Sequence, residues 1–285
     1  MKDYLVKAEA YDKSVRIYVA HTTHLVERAR KIHDTWPLVS AAFGRTLTVS
    51  LILGALYKDD QTITVRINGG GPIGDIVTKA NTKGEVKGYV GNPHVHLESN
   101  NGHLAVGAGV GTNGFIYVTK DLGLKNRYVS SSPLQTGEIG EDFSYYFATS
   151  EQIPSAVGLG VLVNPDNKIA ASGGFVVQVM PGVKEETINK IEEIVKNMPH
   201  ISTLIKNNKT PEDIVNMLSE GDYQILETLP VKYKCDCNKK RFIKGIKTLG
   251  DEEINNIINE NKPIEVVCQF CGKKHIIEIE EIKRG

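Results

Sequence analysis

The chemistry of this sequence is concentrated in four cysteines near its C-terminal end. Cys235 and Cys237 form a C-x-C pair, Cys268 and Cys271 form a C-x-x-C pair, and the segment 238–267 separates the two pairs. Four thiolates satisfy the tetrahedral coordination of a structural zinc ion, and a C-x-x-C pair followed directly by Gly272 is typical of a zinc knuckle. The spacing therefore predicts one Zn²⁺ site with all four cysteines as its ligands.

Two other interpretations of the cysteines are a redox dithiol and buried thiols without a metal. A thioredoxin-like dithiol would lie near a βαβ unit, which the sequence pattern does not show, so zinc is preferred. A regular strand rarely directs both sulfurs of a C-x-C pair at one centre, so we expect a turn at Asp236. His275 follows Cys271 by four positions. With four cysteines available, we expect His275 to be a surface or strand residue and not a ligand.

Five basic residues flank the cysteine pairs: Lys239, Lys240, Arg241, Lys273 and Lys274. Positive charge favours a thiolate over a thiol, which aids both metal binding and oxidation. We interpret these residues as compensation for a four-thiolate zinc centre, which carries a net charge of about −2. A nucleic-acid-binding protein with a zinc-ribbon-like tail is disfavoured, because residues 231–285 contain only twelve Lys and Arg against nine Asp and Glu.

The composition is that of an ordinary globular protein. Of the 285 residues, 40% are hydrophobic and 24% are charged, and 34 Lys and Arg balance 34 Asp and Glu. A chain without net charge has no long-range field that would attract nucleic acid or an anionic membrane, so we expect neither as a partner. No cysteine precedes Cys235, and the N-terminal residues form no apolar signal-peptide region. We therefore expect a reducing cytoplasmic location and no secreted disulfide framework.

One segment, from Leu38 to Tyr57, has the length and apolar content of a membrane span. Arg45 lies near its middle together with hydroxyl side chains such as Thr46 and Ser50, and a charge at that depth is costly in lipid. We therefore predict a helix in the core of the protein, with Pro37 in its first turn.

Residues 1–182 are predicted to form a β-rich core domain. Alternation of apolar and polar residues at Val15–Val19 and Ile63–Ile67 is typical of strands. Twenty of the 27 glycines lie between Gly69 and Gly182, a density that suits the turns and bulges of antiparallel sheets. Helices are expected near Thr23–Ile32, Trp36–Tyr57 and Glu141–Thr149. Antiparallel sheets with packed helices make the fold class α+β.

Residues 183–230 are predicted to form a metastable helical linker. Two groups of apolar residues recur at helical spacing: Ile188, Ile191, Ile194 and Val195, and then Ile214, Val215 and Leu218. Thr210 followed by Pro211 and two acidic residues marks the start of the second helix. Polar breaks keep these helices short, so they depend on docking against another part of the protein.

Residues 231–285 are predicted to form a small zinc-binding domain. Its apolar residues form helical stripes and one strand: Phe242, Ile243, Ile246, Leu249, Ile254, Ile257 and Ile258 in helices, and Ile276, Ile277 and Ile279 in the strand. A unit of this size buries too little apolar surface to be secure alone. It needs a cross-link, and the metal would supply one.

Two glycine motifs and a histidine pair are discounted as functional sites. Gly109–Gly114 spells G-x-G-x-x-G but precedes strand-like residues, and Gly69–Gly74 lacks the Lys-Ser/Thr of a P-loop, so hairpin turns are expected. His94 and His96 are expected on one face of a strand. The sequence contains no nucleophile elbow and no zinc-protease motif. We therefore predict no enzyme, with an enzyme carrying a structural zinc tail as the alternative.

Short motifs spread along the whole chain form a specific combination: G-R-T at 44–46, G-G-G-P-I-G at 69–74, G-T-N-G at 111–114, S-E-Q-I-P-S at 150–155, G-G-F at 173–175, M-P-G at 180–182 and the four cysteines. This combination resembles the redox-regulated 33 kDa heat-shock chaperone family. One departure is Asn238, since the family usually has serine directly after C-x-C. Asparagine can still turn the chain or cap a helix at that position.

The resemblance implies an ATP-independent holdase that is inactive while reduced and zinc-bound. Oxidation would release zinc, form the disulfides Cys235–Cys237 and Cys268–Cys271, and unfold the C-terminal domain. The linker would then be destabilised, and the protein would form a homodimer and capture unfolding client proteins. Disulfides between near neighbours close tiny loops and constrain the chain little, whereas the metal joins segments that lie far apart in the sequence. Apolar linker residues such as Ile191 are candidate client surface.

Overall fold

The structure is a computed structural model that describes residues 2–98 and 102–283. Contacts between residues divide the chain into two compact units, Met1–Tyr233 and Lys234–Gly285. The first unit contains two large sheets with helices, and the second contains a small sheet with helices. The predicted α+β fold class with antiparallel sheets is confirmed. The further division of the first unit into a core domain and a linker stays a prediction.

The elements of the first unit are, in chain order, β1 (Tyr4–Ala10), β2 (Val15–His21), α1 (Thr23–His33), α2 (Pro37–Ala55), β3 (Thr62–Asn68), β4 (Ile76–Asn81), β5 (Glu85–Val90), α3 (Val106–Val110), β6 (Phe115–Asp121), β7 (Tyr128–Pro133), α4 (Gly140–Tyr146), a π-helical turn (Phe147–Glu151), β8 (Ser155–Val163), β9 (Ile169–Val179), α5 (Glu185–Asn197), α6 (Ile201–Lys206), α7 (Pro211–Ser219), β10 (Tyr223–Pro230) and β11 (Lys232–Tyr233). The predicted early helices and strands are confirmed. The helix expected near Glu141 is α4, and it continues into the π-helical turn.

The strands of this unit form two sheets. The first has the order β10-β1-β2-β9-β8 and is antiparallel throughout, with Val6 opposite Val19 and Val19 opposite Phe175. The second has the order β11-β5-β4-β3-β6-β7 and is antiparallel except for the short parallel pair β11 and β5. Strand β10 therefore returns late in the sequence to become the edge of a sheet that begins with β1.

Helix α2 lies in the core of the first unit and contacts strands of both sheets. It is long and apolar enough to cross a membrane, but 94% of an apolar stretch of 18 residues in this helix is buried inside the protein. Arg45 lies at the margin of the core, where its Nη1 donates to the backbone oxygen of Glu138 at 3.1 Å. The predicted core helix is therefore confirmed, and its single charge is paired.

The opposite face of the first sheet is covered by α5, α6 and α7. The residues that meet there from the helices are Ile191, Ile201, Leu204, Ile205, Ile214, Val215 and Leu218. They pack on sheet residues that include Val6, Ile17 and Val19. Because both of its faces are covered, β2 is almost continuously buried. The short helices of residues 183–230 thus dock on the sheet within their own unit.

Glycines in the two motifs allow the segments 69–74 and 109–114 to pack with their backbones in direct contact. The amide nitrogen of Gly71 donates to the oxygen of Val110 at 3.0 Å, and that of Asn113 donates to the oxygen of Gly69 at 2.9 Å. A Cβ atom at Gly69 would lie only 2.1 Å from the oxygen of Gly111. Gly69–Gly74 lies in the hairpin between β3 and β4, as expected. Gly109 instead lies in α3, so a hairpin turn was the wrong prediction for the second motif.

His94 and His96 lie in an irregular segment, so the predicted strand there is wrong. His94 pairs with Asp34 through an Nε2 to Oδ2 distance of 3.0 Å, and its ring lies 5.4 Å from that of Trp36. Tertiary contacts, and not strand pairing, hold this segment in place: the Trp36 amide also donates to the oxygen of Pro93 at 2.9 Å, and Val95 and Leu97 pack against the main core. The spacing of two histidines two positions apart does not tell a strand from an irregular segment.

The second unit contains α8 (Lys239–Ile246), α9 (Asp251–Glu260), β12 (Ile264–Val267), β13 (Lys274–Ile277) and α10 (Ile279–Lys283). Strands β12 and β13 form an antiparallel hairpin. Ile279 begins α10 and does not extend the strand, because the chain leaves the hairpin after Ile277. Leu249 lies between the two longer helices and is 45% exposed, so it does not continue their apolar stripe.

The capping box of α7 provides a direct test of the sequence signal at Thr210. The Asp213 amide donates to Thr210 Oγ1 at 3.1 Å, and the Thr210 amide donates to Asp213 Oδ2 at 2.9 Å. We predict that Thr210→Ala destabilises the first unit by about 1 kcal/mol, since a helix donor loses its partner. Thr203→Ala, at an exposed interior position of α6, should be nearly neutral. Urea unfolding measures both, and equal effects would contradict the capping role.

Candidate metal centre

Two local structures in the second unit present the four cysteines. Cys235 and Cys237 lie in an irregular segment directly before α8. Asn238 caps that helix, with its Oδ1 accepting a hydrogen bond from the Arg241 amide at 3.0 Å. As expected, the strand does not continue through Asp236, but the backbone there forms neither a turn nor a bend, so the expected turn is not found. The cap explains how asparagine serves at a position where serine was expected, since both are favourable N-cap residues.

Cys268 and Cys271 lie in the tight connection between β12 and β13. The amides of Cys271 and Gly272 donate to the oxygen of Cys268 at 3.2 and 2.8 Å, and the Cys268 amide donates to the oxygen of Lys273 at 3.0 Å. Gly272 has a φ of +68°, a conformation that glycine adopts without steric cost. The glycine after C-x-x-C therefore lets the chain reverse and brings both thiols to one side of the hairpin.

The four sulfur atoms lie within 4.8 Å of one another. Cys235 Sγ is 3.8 Å from Cys268 Sγ, and Cys237 Sγ is 3.5 Å from Cys271 Sγ. A tetrahedral zinc ion with Zn–S distances of about 2.3 Å requires sulfurs about 3.8 Å apart. The donor set and its spacing therefore fit a metal held by all four residues, and a tetrahedral set of four thiolates suits zinc or iron.

The charges around the cysteines are mostly paired with each other. Cys268 is 4% exposed and the other three cysteines are half-buried. Burial raises the pKa of the Cys237 thiol, and hydrogen bonds with neighbouring thiols raise it further. Three of the flanking cations bind carboxylates: Lys239 binds Glu281, Arg241 binds Asp236 and Lys274 binds Glu265. Because these cations are paired with carboxylates, they stabilise the thiolates less than expected. A metal ion that binds the site therefore has to displace the thiol protons itself.

His275 lies in β13 opposite Val266, as expected for a strand residue. Its Nε2 is 3.4 Å from Cys237 Sγ, and its ring lies 5.0 Å from the ring of Phe242. The group of potential ligands contains the four cysteines without this histidine. The contact with Cys237 was not predicted, because only the folded hairpin brings position 275 next to position 237.

Little apolar packing supports these segments. The buried core of the second unit consists of Ile277, Ile279 and Ile282, with partly buried side chains around it. In α8 and α9, which are described in full, no residue is buried. Three isoleucines are a small core for a unit of this size. The site with four thiols is therefore the main cross-link available to the unit.

Comparisons with known proteins show the family of the chain. The sequence profile described as "Hsp33 protein" matches residues 3–278. The 33 kDa chaperonins of two strains of Staphylococcus aureus, JH9 and Newman, are each 51% identical to this chain over 282 residues, which is 98% of this chain and 96% of each relative.

A solved structure gives the same result for the fold. The crystal structure of the 33 kDa chaperonin, heat shock protein 33 homolog, of Thermotoga maritima superimposes with a TM-score of 0.91 at 34% sequence identity, and the match covers 100% of this chain and 97% of that one. Profile, sequence and fold thus match over nearly the whole chain, cysteine unit included. The chain therefore belongs to the Hsp33 family of chaperones.

Proposed function

We propose that this protein is a redox-regulated, ATP-independent holdase whose switch is the four-cysteine site. The observation that carries the proposal is the convergence of four sulfurs within 4.8 Å, in a unit whose buried core is three isoleucines. In the reduced state Cys235, Cys237, Cys268 and Cys271 hold one Zn²⁺, and the protein is inactive. The bound zinc stabilises thiolates and joins two chain segments.

Oxidation removes this cross-link. Two molecules of hydrogen peroxide and four protons convert four zinc-bound thiolates into two disulfides and four molecules of water, and Zn²⁺ is released because its ligands are consumed. We propose the pairing Cys235–Cys237 and Cys268–Cys271, which the family resemblance implies. Each of these bonds closes a very short loop and leaves the two segments independent. The small isoleucine core then has to hold the unit alone, and the unit unfolds.

The distances between the sulfurs raise a specific alternative pairing. The Sγ atoms of Cys235 and Cys268 are 3.8 Å apart, and those of Cys237 and Cys271 are 3.5 Å apart. Disulfides formed in that way would preserve the connection between the two segments, so they would not open the switch. The near-neighbour sulfurs also lie within 4.8 Å of each other, so the proposed pairing needs only a small movement of the cysteines.

The first unit would supply the client surface. Helices α5–α7 cover an apolar face of the first sheet, where Ile191, Ile214 and Leu218 are buried. Strand β10 is the edge of that sheet and is exposed along most of its length. It leads through residues 231–233 directly into the cysteine unit. We propose that unfolding of the second unit loosens β10 and the preceding helices, which exposes apolar surface for unfolding cytoplasmic clients and for a homodimer.

The metal assignment makes a quantitative prediction. Reduced protein should bind one Zn²⁺ per chain, with an affinity that rises with pH because thiol protons are displaced. Co²⁺ in the same site should give the strong sulfur-to-cobalt charge-transfer bands and the visible spectrum of a tetrahedral four-thiolate complex. Cys271→Ser should weaken these bands and the zinc affinity, whereas Lys262→Ala, at an exposed position outside the cysteine segments, should preserve both. A spectrum of oxygen or nitrogen ligands in the unaltered protein would contradict the assignment.

The switch itself is tested with hydrogen peroxide under mild heat. We predict that zinc-loaded protein releases its metal, forms disulfides between near neighbours and then suppresses the light scattering of a thermally unfolding client without ATP. Untreated zinc-loaded protein should not suppress the scattering, whereas Cys271→Ser should suppress it already without peroxide, because it binds zinc weakly and its second unit unfolds. Peptide mapping by mass spectrometry identifies the pairing. Zinc release without suppression of aggregation, or activation with the cross-paired disulfides, would contradict the proposal.

A further inference from the structure

His275 is the one histidine that contacts the cysteine site in the described part of the chain. Its Nε2 lies 3.4 Å from Cys237 Sγ. The hairpin pairing of β12 and β13 fixes its backbone opposite Val266, and the Phe242 ring packs against the imidazole with 5.0 Å between ring centroids. The strand pairing therefore fixes the backbone of His275, Phe242 packs against its ring, and Nε2 lies next to the sulfur of Cys237.

The position of Nε2 fits a hydrogen-bond donor to Cys237 and not a metal ligand. The four sulfurs complete a tetrahedral set without His275. Cys237 Sγ also lies close to a second sulfur, at 3.5 Å from Cys271 Sγ. When both carry negative charge, a donor on the free side of Cys237 reduces the repulsion between them. An imidazole protonated at Nε2 supplies such a donor.

We propose that His275 is a positioning residue of the site, which donates its Nε2–H to the Cys237 thiolate. The hydrogen bond connects the C-x-C segment to the hairpin that carries C-x-x-C, so it favours the metal-bound arrangement. It also withdraws electron density from the sulfur and makes it a weaker nucleophile toward peroxide. His275 thus raises the zinc affinity and delays activation. This inference rests on the proposed zinc site.

A purely structural role makes a different prediction. If the imidazole acted only by packing against Phe242, phenylalanine would replace it without loss. If it acts through Nε2–H, glutamine is the better replacement, because its amide nitrogen reaches a similar position. Interactions around metal ligands of this kind typically contribute roughly 10-fold to metal affinity.

The test compares full-length His275→Phe and His275→Gln with the unaltered protein. Zinc affinity is measured by competition with a chromophoric chelator, and zinc release is followed after addition of hydrogen peroxide. We expect His275→Phe to bind zinc roughly 10-fold more weakly and to release it faster. His275→Gln should restore most of both properties. Equal behaviour of the Phe variant and the unaltered protein, or equal loss in both variants, would overturn the proposal.

A spectroscopic measurement on the unaltered protein does not depend on whether either variant folds. With ¹¹³Cd in the site and ¹⁵N-labelled histidine, an Nε2–H···S bond predicts a protonated Nε2 and a scalar coupling between its proton and the cadmium. A ring protonated only at Nδ1 would overturn the proposal. If the unaltered protein binds neither zinc nor cadmium with four thiolates, the proposed function fails first, so the two failures are distinguishable.

Discussion

In the proposed zinc-bound state, the second unit depends on one cross-link between two segments that lie far apart in the sequence. The C-x-C segment before α8 and the C-x-x-C turn between β12 and β13 bring their four sulfurs together, and His275 of β13 contacts Cys237. In small peptides the formation of such a zinc site contributes about 10–16 kcal/mol. Each of the three buried isoleucines contributes about 1.5–3 kcal/mol, and the other apolar side chains of the cluster are only partly buried, so the metal site would be the largest single contribution to the unit. Under the proposed function, the same four metal–sulfur bonds determine both the fold of the unit and its sensitivity to oxidants.

The first unit is stabilised in the opposite way. Helix α2 is buried in its core, and α5–α7 cover the outer face of one sheet. Its stability comes from apolar burial spread over many residues, and it contains no cysteine. Oxidation of thiols therefore has no target in this unit. Under the proposed function, the second unit responds to the oxidant, and in the first unit the inner strands of the sheets keep their structure while β10 and α5–α7 loosen.

Much of this organisation could be predicted from local sequence. The cysteine spacing, the Pro37 start of α2 and the capping box at Thr210 are short-range signals, and the structure contains each of the corresponding features. Positions that depend on distant partners were harder to predict. Ile279 has the same local character as Ile277, but the end of the hairpin places it in a helix.

Long-range pairing was also not readable from the sequence. Strand β10 pairs with β1 at the other end of the first unit, with Tyr223 opposite Ala10. The contact between His275 and Cys237 exists only because a strand and an irregular segment meet. Hydrophobic periodicity reports which face of an element is buried, but it does not identify the element that covers that face. For this reason the sheet on which α5–α7 dock was not identified in advance.

The central claim is that the metal, and not apolar packing, holds the second unit together. Hydrogen exchange with mass spectrometry tests it most directly, on fully reduced protein with zinc bound and after its removal by a chelator, so that no disulfide contributes. The account predicts that amides of residues 234–283 lose their protection when zinc is removed, while those of β2 and β9 remain protected. Persistent protection of β12, β13 and α8 without metal would contradict it.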